Sequence, residues 1–226
     1  MRRFLAIVPD VYTGHVSVGG RAEVRELPDL TISKVAVGPM DNNAYLLRCA
    51  HTGAQVLIDA AAEPDRLLDL VGADGLSGII TTHRHQDHWG ALNELVEATG
   101  APVFAHEADA DAIEAPIEHR VREGEVIPVG RSALSTIHLV GHTPGSLVLV
   151  YDDPTGHHHM FTGDCLFPGG IGRTWSSQDF DSLYEGVAAK IFENYDDETW
   201  VYPGHGDDTI LGTERPHLTE WCERGW

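Results

Sequence analysis

Residues 81–90 read TTHRHQDHWG. They place His83, His85, Asp87 and His88 within six positions, after an apolar run read as a strand (Leu76 to Thr81) and before an amphipathic helix predicted over Gly90 to Thr99. Imidazoles combined with a carboxylate suit zinc, iron or manganese. In extended backbone, residues two apart point the same way, so His83 and His85 can reach one metal. Asp87 and His88 lie where the chain turns and can face a neighbouring one. One histidine in such a place is ordinarily a capped or surface side chain. Four donors at HxHxDH spacing on a strand-to-helix turn read as a metal centre.

Three distant segments share a form. LVGHTPGS, MFTGDCLF and VYPGHG each put a possible ligand just after a strand and beside glycine, namely His142, Asp164 and His205. The sheet holds such a residue, and glycine lets the backbone approach closely. Cys165, next to Asp164, reads as a small buried side chain rather than a nucleophile.

Around these segments the chain alternates. Ile32–Gly38, Ala44–Cys49 and Gln55–Asp59 read as strands separated by turns, which suggests antiparallel sheet. A short helix over Pro64–Val71, the strand and helix around residues 81–90, and a strand over Val103–Ala105 follow. Strands return at Glu125–Val129, Ala133–Val140, Ser146–Tyr151 and His158–Thr162. A helix capped by Ser177 is predicted from Asp179 to about Glu193, and a last strand over Thr199–Tyr202. Strands then helices, twice, predict an α+β fold: two halves forming a sheet sandwich with helices outside, in one domain over residues 1–226.

Composition narrows the partners. The chain has 226 residues, 42% hydrophobic and 22% charged, an ordinary folded composition. Its net charge of -20 leaves no positive footprint for nucleic acid or an anionic membrane. No apolar stretch is long enough to cross a bilayer. Cys49, Cys165 and Cys222 make no disulfide framework, and MRRFLAIVPDVY lacks a cleavage site. A cytoplasmic protein is expected.

HxHxDH followed by separated His, Asp and His resembles the metallo-β-lactamase superfamily over nearly the whole chain. The resemblance implies a four-layer αββα sandwich with two divalent metal ions at one sheet edge. Zinc is the first expectation, and iron or manganese suit the same donors. His83, His85 and His142 would bind one ion, Asp87, His88 and His205 the other, and Asp164 would bridge. Two ions about 3.5 Å apart lower the pKa of a shared water, whose hydroxide attacks a carbonyl. Asp87 would both bind metal and orient that nucleophile.

Within the superfamily, DNNAYLL (41–47), GHTPGS, GDCLFPGGIGRT (163–174) and PGHG resemble the glyoxalase II branch. The tail TILGTERPHL resembles its short bacterial form through Thr209, Gly212, Glu214 and Arg215, but lacks that form's Asn-Pro after Glu-Arg. The branch implies a small-molecule substrate, a thioester of a 2-hydroxy acid, with Arg173, Trp175 and Arg215 as candidate contacts. Only 21 residues follow His205, so the helical C-terminal domain of larger members is not expected. The alternatives are a mononuclear-iron persulfide dioxygenase, whose usual cysteine in GCGRT is Ile171 here; a β-lactamase or other ester or amide hydrolase; and a non-catalytic metal-binding scaffold. His157, His158 and His159 follow the turn DDPTG and read as an exposed turn entering the sheet, outside the site.

Overall fold

The computed structural model describes residues 12–225. The reading of the first eleven residues as a start without a leader lies outside the described residues. The first sheet holds β1 (Glu23–Glu26), β2 (Leu30–Val37), β3 (Asn42–Cys49), β4 (Gln55–Ile58), β5 (Gly78–Ile80), β6 (Val103–His106) and β7 (His119–Val121), in that spatial order. The expected antiparallel pairing holds from β1 to β4. From β4 to β7 it turns parallel, because each connection there carries helical or irregular chain back across the sheet.

The second sheet is built from β8 (Val126–Val129), β9 (Ser132–Leu139), β10 (Ser146–Asp152) and β11 (His158–Gly163). After the small hairpin of β12 (Leu166–Phe167) and β13 (Gly170–Ile171), it is completed by β14 (Trp200–Pro203) and β15 (Thr209–Ile210). Its spatial order is β15-β14-β11-β10-β9-β8, and β11 and β14 run parallel, so their ends deliver residues to the same edge.

The period-two alternation of each strand sorts the core into layers. On β3, Tyr45 and Leu47 face the second sheet, while Ala44 and Leu46 face helices. Helices α1 (Pro64–Val71) and α2 (Leu92–Thr99) cover that outer face through Leu67, Val71, Leu92 and Leu95. On β10, Leu147 and Leu149 point into the sandwich and Val148 and Val150 point out. Short α3 (Glu107–Ala110) follows β6, and α4 (Ser177–Val187) buries Phe180, Leu183 and Val187 on the second sheet's outer face. Helix, sheet, sheet, helix is the four-layer αββα sandwich.

Ser176, not Ser177, caps α4: its hydroxyl accepts from the Asp179 amide. The helix then widens into a π-type turn over Ala188–Phe192, closed by the Glu193 amide on the Ala188 carbonyl. The tail folds into β15, α5 (Leu211–Glu214) and α6 (Leu218–Arg224), which seats Trp221 in the core. Among the described residues no helix is long and apolar enough to cross a membrane.

Candidate metal centre

All seven expected donors converge at one edge of the sandwich. His83, His85 and His142 form one group, His83, His88 and Asp164 a second, and Asp87, His88 and His205 a third, each with ligand atoms within 4.8 Å of one another. His83 Nε2 lies 3.1 Å from His85 Nδ1 and 3.2 Å from His142 Nε2. His88 Nε2 lies 3.3 Å from His205 Nε2 and 3.5 Å from Asp87 Oδ2. Asp164 stands between them, with Oδ1 3.4 Å from His88 and Oδ2 3.6 Å from both His142 and His205.

The outward hydrogen bonds assign a tautomer to each neutral imidazole. His142 Nδ1 donates to the Arg173 carbonyl at 2.8 Å, and His205 Nδ1 to the Met40 carbonyl at 2.9 Å. His88 Nδ1 meets the Asp59 carboxylate at 2.8 Å. The Thr82 hydroxyl donates to Asp59 and therefore accepts from His83 Nδ1 at 3.1 Å. In its neutral form each of these four rings turns the Nε2 lone pair inward. Two such nitrogens 3.2 or 3.3 Å apart repel unless a proton or a metal cation lies between them. Asp164 Oδ1, buried without a hydrogen-bond partner, points the same way. Donor set, orientation and orphaned oxygen fit divalent cations.

Local backbone explains the approach. Asp59 leaves β4 at φ 58°, in the left-handed region that a non-glycine residue enters at a cost, and its carboxylate takes the Thr82 amide, the Thr82 hydroxyl and His88. A Cβ on Gly204 would stand 2.2 Å from Asp164 Oδ1 and 2.7 Å from His88 Cε1, so only glycine passes there. The loop from Pro203 to Gly206 is pinned from beneath. Tyr45 donates to the Pro203 carbonyl, Asn43 to those of Pro203 and Gly206, and fully buried Lys34 to that of Gly206. Lys34 is paired with buried Asp208 at 2.6 Å.

The charges follow from these contacts. Burial opposes charging of His88, but with no cation bound Asp59 and Asp164 outweigh it and hold the imidazole up at about 10, so the position calls for a positive charge that either a proton or a metal ion at Nε2 can supply. With no cation bound, a proton taken up at His205 Nε2 holds the Asp87 carboxyl well below the usual carboxylate range, and Asn42 adds a donor at 2.9 Å. Burial drives His83 well below the ordinary histidine range, and the neighbouring imidazoles add to it.

The other candidates divide. Arg173 and Trp175 line a cavity of about 590 Å³ next to the donors, together with Ile171, Gly172 and Thr174. Exposed Trp175 lies 6.4 Å from the His85 ring, and the Arg173 guanidinium sits 4.5 Å above its indole. Arg215 is elsewhere: its guanidinium bonds Asp197 and the carbonyls of Phe192 and Tyr195, which makes it a latch on the end of the α4 segment instead of a substrate contact. Its neighbour Glu214 is also structural, taking the Thr209 hydroxyl and the Gly169 amide. Cys165 is fully buried, with its thiol pushed up to about 12 by burial. Asp59 and Lys34 stand outside the motifs of the sequence, while Asn42 lies within DNNAYLL with no role assigned to it; the strand-terminal position of Asp59 was its one signal.

A family model described as the metallo-beta-lactamase superfamily matches residues 37–205. The hydroxyacylglutathione hydrolase of Fuscovulum blasticum is 34% identical over 173 residues, covering 73% of this chain and 62% of that protein, so the chain spans less than two thirds of that relative. Among solved structures, ETHE1 from Myxococcus xanthus superposes with a TM-score of 0.74 at 29% identity, over 85% of this chain and 84% of that one. TTHA1623, solved in a di-iron-bound form, superposes with a TM-score of 0.67 at 33% identity, over 80% of this chain and 96% of that one. With its donors gathered at one sheet edge and the family pattern running through all seven of them, this chain belongs to the metallo-β-lactamase superfamily.

Proposed function

We propose that the chain is a metal-dependent hydrolase with two cation sites, His83, His85 and His142 in one, Asp87, His88 and His205 in the other, and Asp164 shared, and that it cleaves thioesters of 2-hydroxy acids. The carrying observation is the pair of facing Nε2 nitrogens on each side of Asp164, with the carboxylates of Asp87 and Asp164 beside them. Two divalent ions, zinc first among them, would supply Lewis acidity toward a carbonyl oxygen and lower the pKa of a water. Asp87 stays ionised, and Asn42 fixes its carboxylate to accept a hydrogen bond from that water and orient it.

The substrate class is supported by the likeness to hydroxyacylglutathione hydrolases and by the adjoining cavity. At about 590 Å³ it has room for an acyl-thiol. Arg173 makes no ion pair among the described residues, and its guanidinium offers a fixed fork for a carboxylate on the thiol carrier. Trp175 provides an apolar wall for the remainder.

One panel on the metal-loaded protein tests this: S-lactoyl thioesters of several thiols, a glutathione persulfide with oxygen uptake, and a β-lactam. Thioester cleavage is the expected result, with Arg173→Ala raising KM by about tenfold and changing kcat little, the signature of uniform binding. Oxygen uptake or β-lactam opening without thioester cleavage would replace the substrate assignment. Absence of turnover with both ions bound would overturn the hydrolase reading and leave the fold and the cation sites.

A further inference from the structure

The histidines of the first cluster come from two separate loops, His83 and His85 from the segment after β5 and His142 from the turn between β9 and β10. One buried side chain touches both loops. Asp109, on α3, is fully buried. Its Oδ2 accepts the backbone amide of Arg84 at 3.0 Å and the hydroxyl of Thr143 at 2.6 Å. Arg84 lies between His83 and His85, and Thr143 follows His142. A single carboxylate oxygen therefore bridges the two loops one residue away from all three donors.

The surroundings are built for this contact. A Cβ on Gly145 would lie 2.7 Å from the Asp109 amide and 2.8 Å from its carboxyl carbon, so the last glycine of GHTPGS makes room for Asp109 itself. Ser146 bonds the Thr143 hydroxyl at 2.7 Å and holds its rotamer. The Arg84 side chain contributes only a loose ion pair, 3.9 Å from Oδ1, which has no hydrogen bond. Burying a carboxylate is costly, and here both of its hydrogen bonds go to the two donor-carrying loops. By contrast, Asp59 serves His88 and His83 from the other side and does not reach His142.

We infer that Asp109 is a positioning residue for the three-histidine cluster, setting the distance between the loop of His83 and His85 and the loop of His142. It touches neither substrate nor cation, and the inference rests on the cation reading above. Partners that orient metal ligands typically contribute a factor of about 10 to 100 in metal affinity.

The test is zinc titration of the full chain by calorimetry, with melting temperature measured alongside. His142→Ala identifies which binding phase belongs to the three-histidine cluster. Asp109→Ala is expected to weaken that same phase about 10-fold or more and leave the other within about threefold. Asp109→Asn, which keeps one acceptor oxygen for both donors, is expected to restore most of the affinity. If Asp109→Ala does not fold, Thr143→Val, which removes one of the two donors, should weaken the same phase by a smaller factor. A lower melting temperature with both phases intact, or both phases weakened equally, would make Asp109 an ordinary structural residue and overturn the inference. Wild-type protein that takes up no zinc, iron or manganese would instead refute the cation reading, and the inference with it. Two intact phases in wild type and every variant would refute the inference alone.

Discussion

Two stretches of this chain are rich in histidine, 83–88 and 157–159, and only one gathers its rings around a common point. In the first, residues two apart and the turn that follows bring four donors to one edge, where distant His142, Asp164 and His205 meet them. In the second, consecutive residues at the start of β11 diverge. His157 is exposed, 3.6 Å from Glu198. His158 bonds Asp152 at 2.7 Å, and buried His159 takes the Tyr202 hydroxyl at 2.9 Å. Each ring of that run has a partner of its own, so no bare nitrogens are left facing one another. Histidine density does not make a site. The spacing must match the backbone period, and acceptors behind the rings must turn the free lone pairs to one point.

The largest effect is expected at Asp87. Asp87→Ala should lower kcat by on the order of a hundredfold or more and cost a metal ion from the second cluster, seen by elemental analysis beside steady-state kinetics. Both ions retained with near-normal kcat would remove Asp87 from its role.

A smaller effect is expected on the other side. Burial, with Arg25 adding to it, depresses His159 to about 4 from an ordinary 6.5. Between those values the unfolded chain binds a proton that the folded one refuses. Stability is therefore full above about 6.5 and is lost as pH falls toward about 4, by on the order of 3 kcal/mol. His159→Gln, which can keep a bond to Tyr202, should flatten that limb in denaturant titrations across the window. An unchanged slope would show that His159 is not the group being charged.

The smallest effect belongs to His158→Ala. It should leave metal content unaltered and stability within about 0.5 kcal/mol, measured by the same titrations. A lost ion would mean that the histidine run takes part in binding after all.

The segment after β5 was legible because its donors are local and its spacing fits one turn. His142, Asp164 and His205 were legible because each follows a strand beside glycine, and Gly204 shows why: the backbone there runs against Asp164. Asp59 and Asp109 were hidden, since a lone aspartate at a strand end or in a short helix looks like any turn residue until a tertiary partner is known. Arg215 shows the reverse. A motif shared with relatives does not say whether its arginine faces a ligand or holds the tail, and three internal acceptors decide for the tail. The parallel half of the first sheet escaped because β5 and β6 are short and buried, with no alternation to reveal their direction.

The bond between Asn42 and Asp87, and the bridge that pairs Asn42 with His205, join positions 45 and 163 residues apart. The second cluster thus closes only when β3, the turn after β5 and the loop after β14 have all met. Loop closure over such separations is slow and comes late in assembly. A chain emerging from the ribosome could present His83, His85 and His142 well before His205 exists. On the two-cation reading proposed above, loading of the second ion would report completed folding, and an unfinished chain would be kept from full activity by its own topology.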